Sequence, residues 1–443
     1  MQASGGVSRV FQTPGRMTAL FCLLLVLGIL DSGSFAALIV TLQQLWGLSN
    51  TEAGWISGIY FGGYAFAVPL LVTLTDRVDA RHIFAGATVL GGFAAAGFAF
   101  WVDGFWSALL MRFLGGVSLA GTYMVGLRLL TDRLEDMQQD RKNREQEPFE
   151  WPQSRSVAFY TAHFAIGSGL SVMAAGFWSG AFGWRAAFLF AALCSFAALG
   201  ILLCSVEAKS RETSGEVTRL SLRGLLNYGP VFRNHAAMAY VIGYAAHVWE
   251  LFAMRAWLVA FLTFVLWHSG EQEALLPGLP VSPATFAALV FLLGLPSSVL
   301  ANEAAARYGR VRVLTVMMIS SGLVSLAVGL SAWMPLSLAV TLLVLHGVTA
   351  TADSGSLTAG LVAHSDPDRK GATMAVQSLL GFMVGMMSPL LFGVTLDLAG
   401  GEREPVAWLL AYGLLAVGVL CGPLAFLVLR KALAQSRASR SPG

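Results

Sequence analysis

The sequence predicts an all-α membrane protein with twelve transmembrane helices arranged as two parallel six-helix repeats. Three observations carry that prediction. The 443 residues are 56% hydrophobic and only 12% charged, with a mean hydropathy of +0.68, whereas an ordinary soluble domain is about 25% charged. Twelve apolar runs are close to the length of about 20 residues that a helix needs to cross a bilayer. The basic residues cluster on alternate connecting segments, as they do on the cytoplasmic side of membrane proteins.

The runs are 17–41, 53–74, 83–102, 106–129, 156–180, 185–205, 236–266, 283–303, 312–332, 335–362, 372–397 and 406–429. The third, sixth, ninth and twelfth are nearly free of polar residues, which suits lipid-facing positions. They divide the chain into a tail (1–16), a first half (17–205), a linker (206–235), a second half (236–429) and a C-terminal tail (430–443). With the N-terminus inside, the inner segments hold 24 of the 28 Lys and Arg, and the outer ones only Arg185 and Arg403. Arg112 and Arg255 lie within helices. This asymmetry predicts an integral protein of the cell (inner) membrane with both termini cytoplasmic. Arg9 and Arg16 ahead of the apolar run Leu20–Leu30 imitate a signal peptide, but apolar character resumes to Leu42 and another span follows, so cleavage is not expected.

The residue types exclude several classes. Cys22, Cys194, Cys204 and Cys421 all sit in apolar runs without paired spacing, so neither a disulfide framework nor a metal site is expected. No phosphate-cradling Gly-x-x-x-x-Gly-Lys loop, His-Glu-x-x-His cluster or nucleophile–base pair at helical spacing is present. The chain is therefore not expected to be an enzyme or to carry a cofactor, and no nucleic-acid partner is expected.

The ionisable residues inside the spans carry the chemistry, because charge at membrane depth is costly and rarely faces lipid. The stretch Tyr244–Phe264 contains His247, Glu250 and Arg255. On a helix, Tyr240, Tyr244, His247, Glu250, Met254 and Arg255 fall within an arc of about 140°. With a rise of 1.5 Å per residue, Asp31 and Glu250 lie about 20 Å from the inner end, and Arg112 reaches about the same level. His247 and His346 fall near the midplane, Arg255 near the outer edge, Asp353 near the inner edge and His163 in the inner half. Residues 130–154 form a longer inner segment, in which Leu130, Leu134 and Met137 at helical spacing predict a helix extension followed by a solvated loop, with partner docking as the alternative.

Internal repetition supports parallel halves. VTLTDRVDARHI (72–83) has a counterpart in NEAAARYGRVRVL (302–314), and GGVSLAG (115–121) in HGVTATA (346–352), both offset by roughly 230 residues. These residues resemble the major facilitator superfamily over essentially the whole chain. The family's loop signature is Gly, three residues, Asp-Arg, any residue, then Gly-Arg-Arg. Asp76, Arg77 and Arg81 match it, while Val72 and Asp79 replace both glycines; in the second copy Arg307, Gly309, Arg310 and Arg312 match and Ala306 replaces the aspartate. Arg112-Phe-Leu-Gly-Gly116 is similar to the family's helix 4 arginine motif, and Gly183-Trp184-Arg185-Ala-Ala-Phe188 to its loop before helix 6. The fifth span, YTAHFAIGSGLSVMAAG, lacks the Gly-Pro motif of the family's proton antiporters. Gly381, Gly385, Pro389 and Gly393 give the eleventh a small-residue packing face.

The resemblance implies that helices 1, 4, 7 and 10 surround a central site near the midplane. On that basis Arg112, His247, Glu250, His346 and Tyr240 are candidate substrate-binding residues, with Arg112 offering a bidentate fork to an anionic group. Asp31 and Glu250 are the candidate proton-coupling carboxylates. Asp76, Arg77, Arg81, Arg307, Arg310 and Asp353 are candidates for a cytoplasmic gate. The duller reading of Arg112 is a structural pair with Asp31, and that of Glu250 an ion pair with Arg255 or a neighbouring helix. The implied function is secondary active transport of a small anionic organic solute by proton symport, with the solute, protons and lipid bilayer as partners of a monomer. Export of a neutral or cationic metabolite, and a non-transporting sensor or scaffold on the same fold, are the alternatives.

Overall fold

A computed structural model describes residues 13–207, 228–270 and 281–429. Their regular secondary structure is helical: α1 (Pro14–Ile29), α2 (Ser34–Ala37), α3 (Ile39–Trp46), α4 (Asn50–Leu74), α5 (Ala80–Trp101), α6 (Phe105–Asn143), α7 (Gln153–Phe182) and α8 (Trp184–Ser205). There follow α9 (Gly229–Arg233), α10 (His235–Ser269), α11 (Pro283–Tyr308), α12 (Arg310–Leu330), α13 (Leu336–Ala352), α14 (Ser354–His364), α15 (Lys370–Leu398), α16 (Pro405–Val419) and α17 (Cys421–Val428). Among the described residues eleven helical stretches are long and apolar enough to cross a membrane, and α1 is a shorter apolar helix. The first predicted span, 17–41, is thus not one continuous helix: it breaks at Leu30–Gly33 and resumes as α2 and α3. The predicted tails and most of the linker lie outside the described residues.

The chain forms two compact units, one from the described residues of Met1–Leu38 and Ile59–Thr213, the other from those of Ile39–Gly58 and Ser214–Gly443. In the first, Met17, Phe21 and Leu25 of α1 pack with Phe84 of α5, Val125 and Leu129 of α6, Tyr160 of α7 and Leu202 of α8. α6 runs well past the predicted end of its span because Leu130 and Leu134 continue its apolar stripe into this core and Met137 packs against it. Arg133, at 3% side-chain exposure, lies 3.6 Å from Asp79 and donates from Nη2 to Glu207 O at 2.9 Å. Arg81 donates to Leu203 O at 3.3 Å and, through Nε, to Val206 O. These two guanidinium groups therefore take up carbonyls at and just beyond the C-terminus of α8, where a helix leaves acceptors unpaired and favours positive charge.

In the second unit α10 is apolar on nearly every side and buried on most of its surface, which marks it as an interior helix. Small residues let α15 approach it: a Cβ on Gly381 would meet the Tyr244 ring, and one on Gly385 the Phe252 ring. Pro389 lies in the same helix, and its carbonyl accepts a 3.0 Å hydrogen bond from Trp257 Nε1. The first turns of α4 belong to this unit and pack backbone to backbone on α15, with Gly54 against Pro389 and Leu390, Gly58 against Met386 and Gly393 against Asn50. The carboxylate of Asp397 closes that contact. It accepts from the backbone N–H of Asn50 (3.1 Å) and Thr51 (2.7 Å) and from both side chains (2.9 and 2.6 Å), satisfying the exposed N–H groups at the start of α4.

Candidate functional site

Two broken helices organise the buried charge, one in each unit. In the first unit, the break between α1 and α2 frees backbone carbonyls that lipid could not satisfy. Arg112 of α6 supplies the donors: Nη1 to Asp31 O (2.9 Å) and Asp31 Oδ2 (3.0 Å), and Nη2 to Ser32 O (2.8 Å). Its guanidinium also lies 4.2 Å from the centre of the Tyr60 ring. Ser171 of α7 completes the closure by donating to Leu30 O (2.6 Å) and accepting from Gly33 N–H (2.8 Å). Gly33 is required there, because a Cβ would press into Val172. Asp31 and Arg112 therefore meet as an ion pair that also splices a discontinuous helix, and Asp31 Oδ1 is left without a hydrogen-bond partner.

The second unit holds two histidine–carboxylate pairs between α10 and the α13–α14 span. His346 Nε2 of α13 lies 3.0 Å from Glu250 Oε1 of α10, with both side chains sealed from the surface. His247 Nδ1 of α10 lies 2.6 Å from Oδ1 of Asp353. Asp353 sits at the junction where α13 gives way to α14. The order is reciprocal: α10 presents a histidine and then a carboxylate one turn on, while the partner span presents His346 and then Asp353. The Tyr412 ring meets His346 edge-on at 5.9 Å, and the Tyr244 ring lies 5.9 Å from His247. Each contact sets an imidazole nitrogen against a carboxylate oxygen inside the second unit.

The other sequence candidates fall elsewhere. Tyr240 packs on the flat surface of Gly360 and against His364 (5.0 Å) and Phe426 (5.3 Å), within an apolar cluster. His163 uses Nδ1 on the Phe159 carbonyl of its own helix at 2.7 Å. Asp76 and Arg77 are exposed in the turn after α4, and Arg307 is exposed with its guanidinium 5.4 Å from the Tyr308 ring. Arg310 is half-buried at the start of α12. Asp353 lies inside the span with His247. Sequence reading missed Arg133 and the Asp397 cap. A helical extension of the α6 stripe would have buried Arg133, whereas the partners of Asp397 lie 346 and 347 residues away and leave no local signal.

Fold and site together define a polytopic helical membrane protein that keeps titratable side chains at membrane depth. The chain belongs to the Major Facilitator Superfamily, whose family profile matches residues 20–284. It is therefore a transporter-family protein rather than an enzyme. It is 30% identical over 164 residues to the niacin transporter NiaP of Acinetobacter baylyi, a match that spans 37% of this chain and only 34% of that protein. Among solved structures it is similar to a bacterial homolog of the human lysosomal transporter Spinster (TM-score 0.74, 13% identity, 98% of this chain and 100% of that one). It is also similar to a D-xylose–proton symporter (TM-score 0.70, 14% identity, 95% and 98%) and to the nucleoside transporter NupG (TM-score 0.68, 15% identity, 94% and 99%). These structural likenesses are likenesses of fold.

Proposed function

We propose that this protein is a proton-coupled symporter that carries a small organic anion across the cell's inner membrane, with both termini cytoplasmic. The observation that carries the reading is the pair of buried histidine–carboxylate contacts, Glu250–His346 and His247–Asp353. A buried charged pair stabilises a fold little compared with an apolar packing of the same volume, so two of them side by side in a membrane span are better explained by work than by stability. With a neutral imidazole and an ionised carboxylate, each pair carries one negative charge; one added proton makes it neutral. Proton binding thus removes negative charge from the interior of the second unit and favours entry of an anion.

Asp31, by contrast, shares its position with Arg112 in the closure of the first span, and the proposal assigns the transported protons to the second unit. The partial likeness to a niacin transporter supports an aromatic monocarboxylate as the first solute to test. The test is uptake of labelled nicotinate into liposomes holding the purified chain, with an inward proton gradient. The expected result is accumulation that a protonophore abolishes; uptake indifferent to gradient and protonophore would overturn proton coupling. The long cytoplasmic extension of α6 supports a second reading, a sensor without transport, which requires ligand binding with no flux at all.

A further inference from the structure

We infer that Arg255 is the site that receives the carboxylate of the solute, an assignment that rests on the transport reading for its purpose but not for its chemistry. Arg255 lies on α10, five residues beyond Glu250. Among the described residues no carboxylate lies within ion-pair distance of its guanidinium, and its buried Nε has no hydrogen-bond partner. Its recorded neighbour is the Phe291 ring of α11, 5.1 Å away. Arg112 shares the unpartnered Nε and a ring contact, with Tyr60, but its Nη atoms already have three acceptors, a carboxylate among them.

Lipid does not explain Arg255. The residues one turn before and after it, Leu251, Phe252, Leu258 and Val259, are all buried, so this stretch of α10 lies inside the protein. A guanidinium held there without a counter-ion is costly, and a ligand that brings one negative charge and two oxygens removes the deficit through a bidentate contact. The chemical class follows from the charge. A monocarboxylate neutralises the single guanidinium, whereas a phosphate dianion would leave excess negative charge in an apolar setting.

The two proton-binding pairs set when that site is attractive. Glu250 is about 8 Å from Arg255 along the helix. With ionised carboxylates and neutral imidazoles, His247, Asp353, Glu250, His346 and Arg255 together carry a net charge of −1, and one proton added to each pair makes it +1. Protonating the Glu250–His346 pair then strengthens anion binding by about thirty-fold at an effective dielectric constant of 20. Among the described residues, the titratable side chains in ring contact with these pairs are Tyr244 on α10 and Tyr412 on α16.

The test uses the full chain in detergent, with nicotinate and benzoate as probes and nicotinamide and benzamide as neutral counterparts. Thermal unfolding is followed by tryptophan fluorescence at several ligand concentrations and two pH values. In the wild type the acids raise the melting temperature, more so at the lower pH, and the amides do not. Arg255→Gln loses the acid effect, with affinity weakened about thirty-fold or more, while its ligand-free melting temperature stays the same or rises; Arg255→Lys retains part of the effect. Acid binding undiminished in Arg255→Gln, or no preference for acid over amide in the wild type, overturns the assignment. Binding that depends on Arg255 without gradient-driven uptake would overturn the symport reading and leave the anion site standing.

Discussion

Arg112 and Arg255 show why residue type and depth do not by themselves assign a role. Both are guanidinium groups within spans, yet one has three acceptors within 3.0 Å and the other has an aromatic ring. Removing Arg112 leaves the Asp31 carboxylate and the Ser32 carbonyl without this donor in a dry interior, while Asp31 O keeps the Ser34 N–H at 3.1 Å. Arg112→Ala is therefore expected to destabilise the protein by about 3–5 kcal/mol, read as a large fall in melting temperature in detergent. A variant that melts like the wild type would show that the break in the first span does not need its clasp. The sequence placed Asp31 and Arg112 at one depth, which made the pair foreseeable. Which of the two arginines stays unpaired depended on helix rotation, and rotation is not legible from one chain.

At the scale of elements, the long apolar runs were legible because periodicity and length suffice to mark them. The breaks were not. The first span parts at Leu30–Gly33 only because Ser171 and Arg112, 138 to 141 and 80 to 81 residues on, can satisfy the freed groups. At the junction between α13 and α14 a single glycine, Gly355, follows Asp353, and one glycine in an apolar run does not announce a break. The eleventh span was read correctly as a packing face, since Gly381, Gly385 and Gly393 each admit a neighbour where a Cβ would stand. The start of α4 depends on Asp397 in the same way. Asp397→Ala is expected to cost about 1–2 kcal/mol locally, as loss of an N-cap does. Hydrogen exchange of the Asn50 and Thr51 amides should then quicken by about tenfold; unchanged exchange would mean that the glycine contacts alone hold this turn.

For the whole molecule, composition and the apolar runs were enough to predict a helical membrane protein of about twelve spans, while the transporter fold came from the motif resemblance, with which family membership agrees. They could not predict that residues 39–58 join the compact unit of the second half, because the join is made of glycine-to-backbone contacts and one distant carboxylate. Nor could they pair His247 with Asp353 and Glu250 with His346, although each residue stood out as a charge at membrane depth. The account at this scale is that these pairs bind the protons whose gradient drives an anion across the membrane. The most direct measurement is the external pH of lightly buffered liposomes containing the protein when nicotinate is added without an imposed gradient. The wild type is predicted to make the medium more alkaline as solute enters, and Glu250→Gln to exchange labelled nicotinate across the membrane without that pH change. Solute entry with no alkalinisation in the wild type, or an equal pH change in Glu250→Gln, would contradict the account.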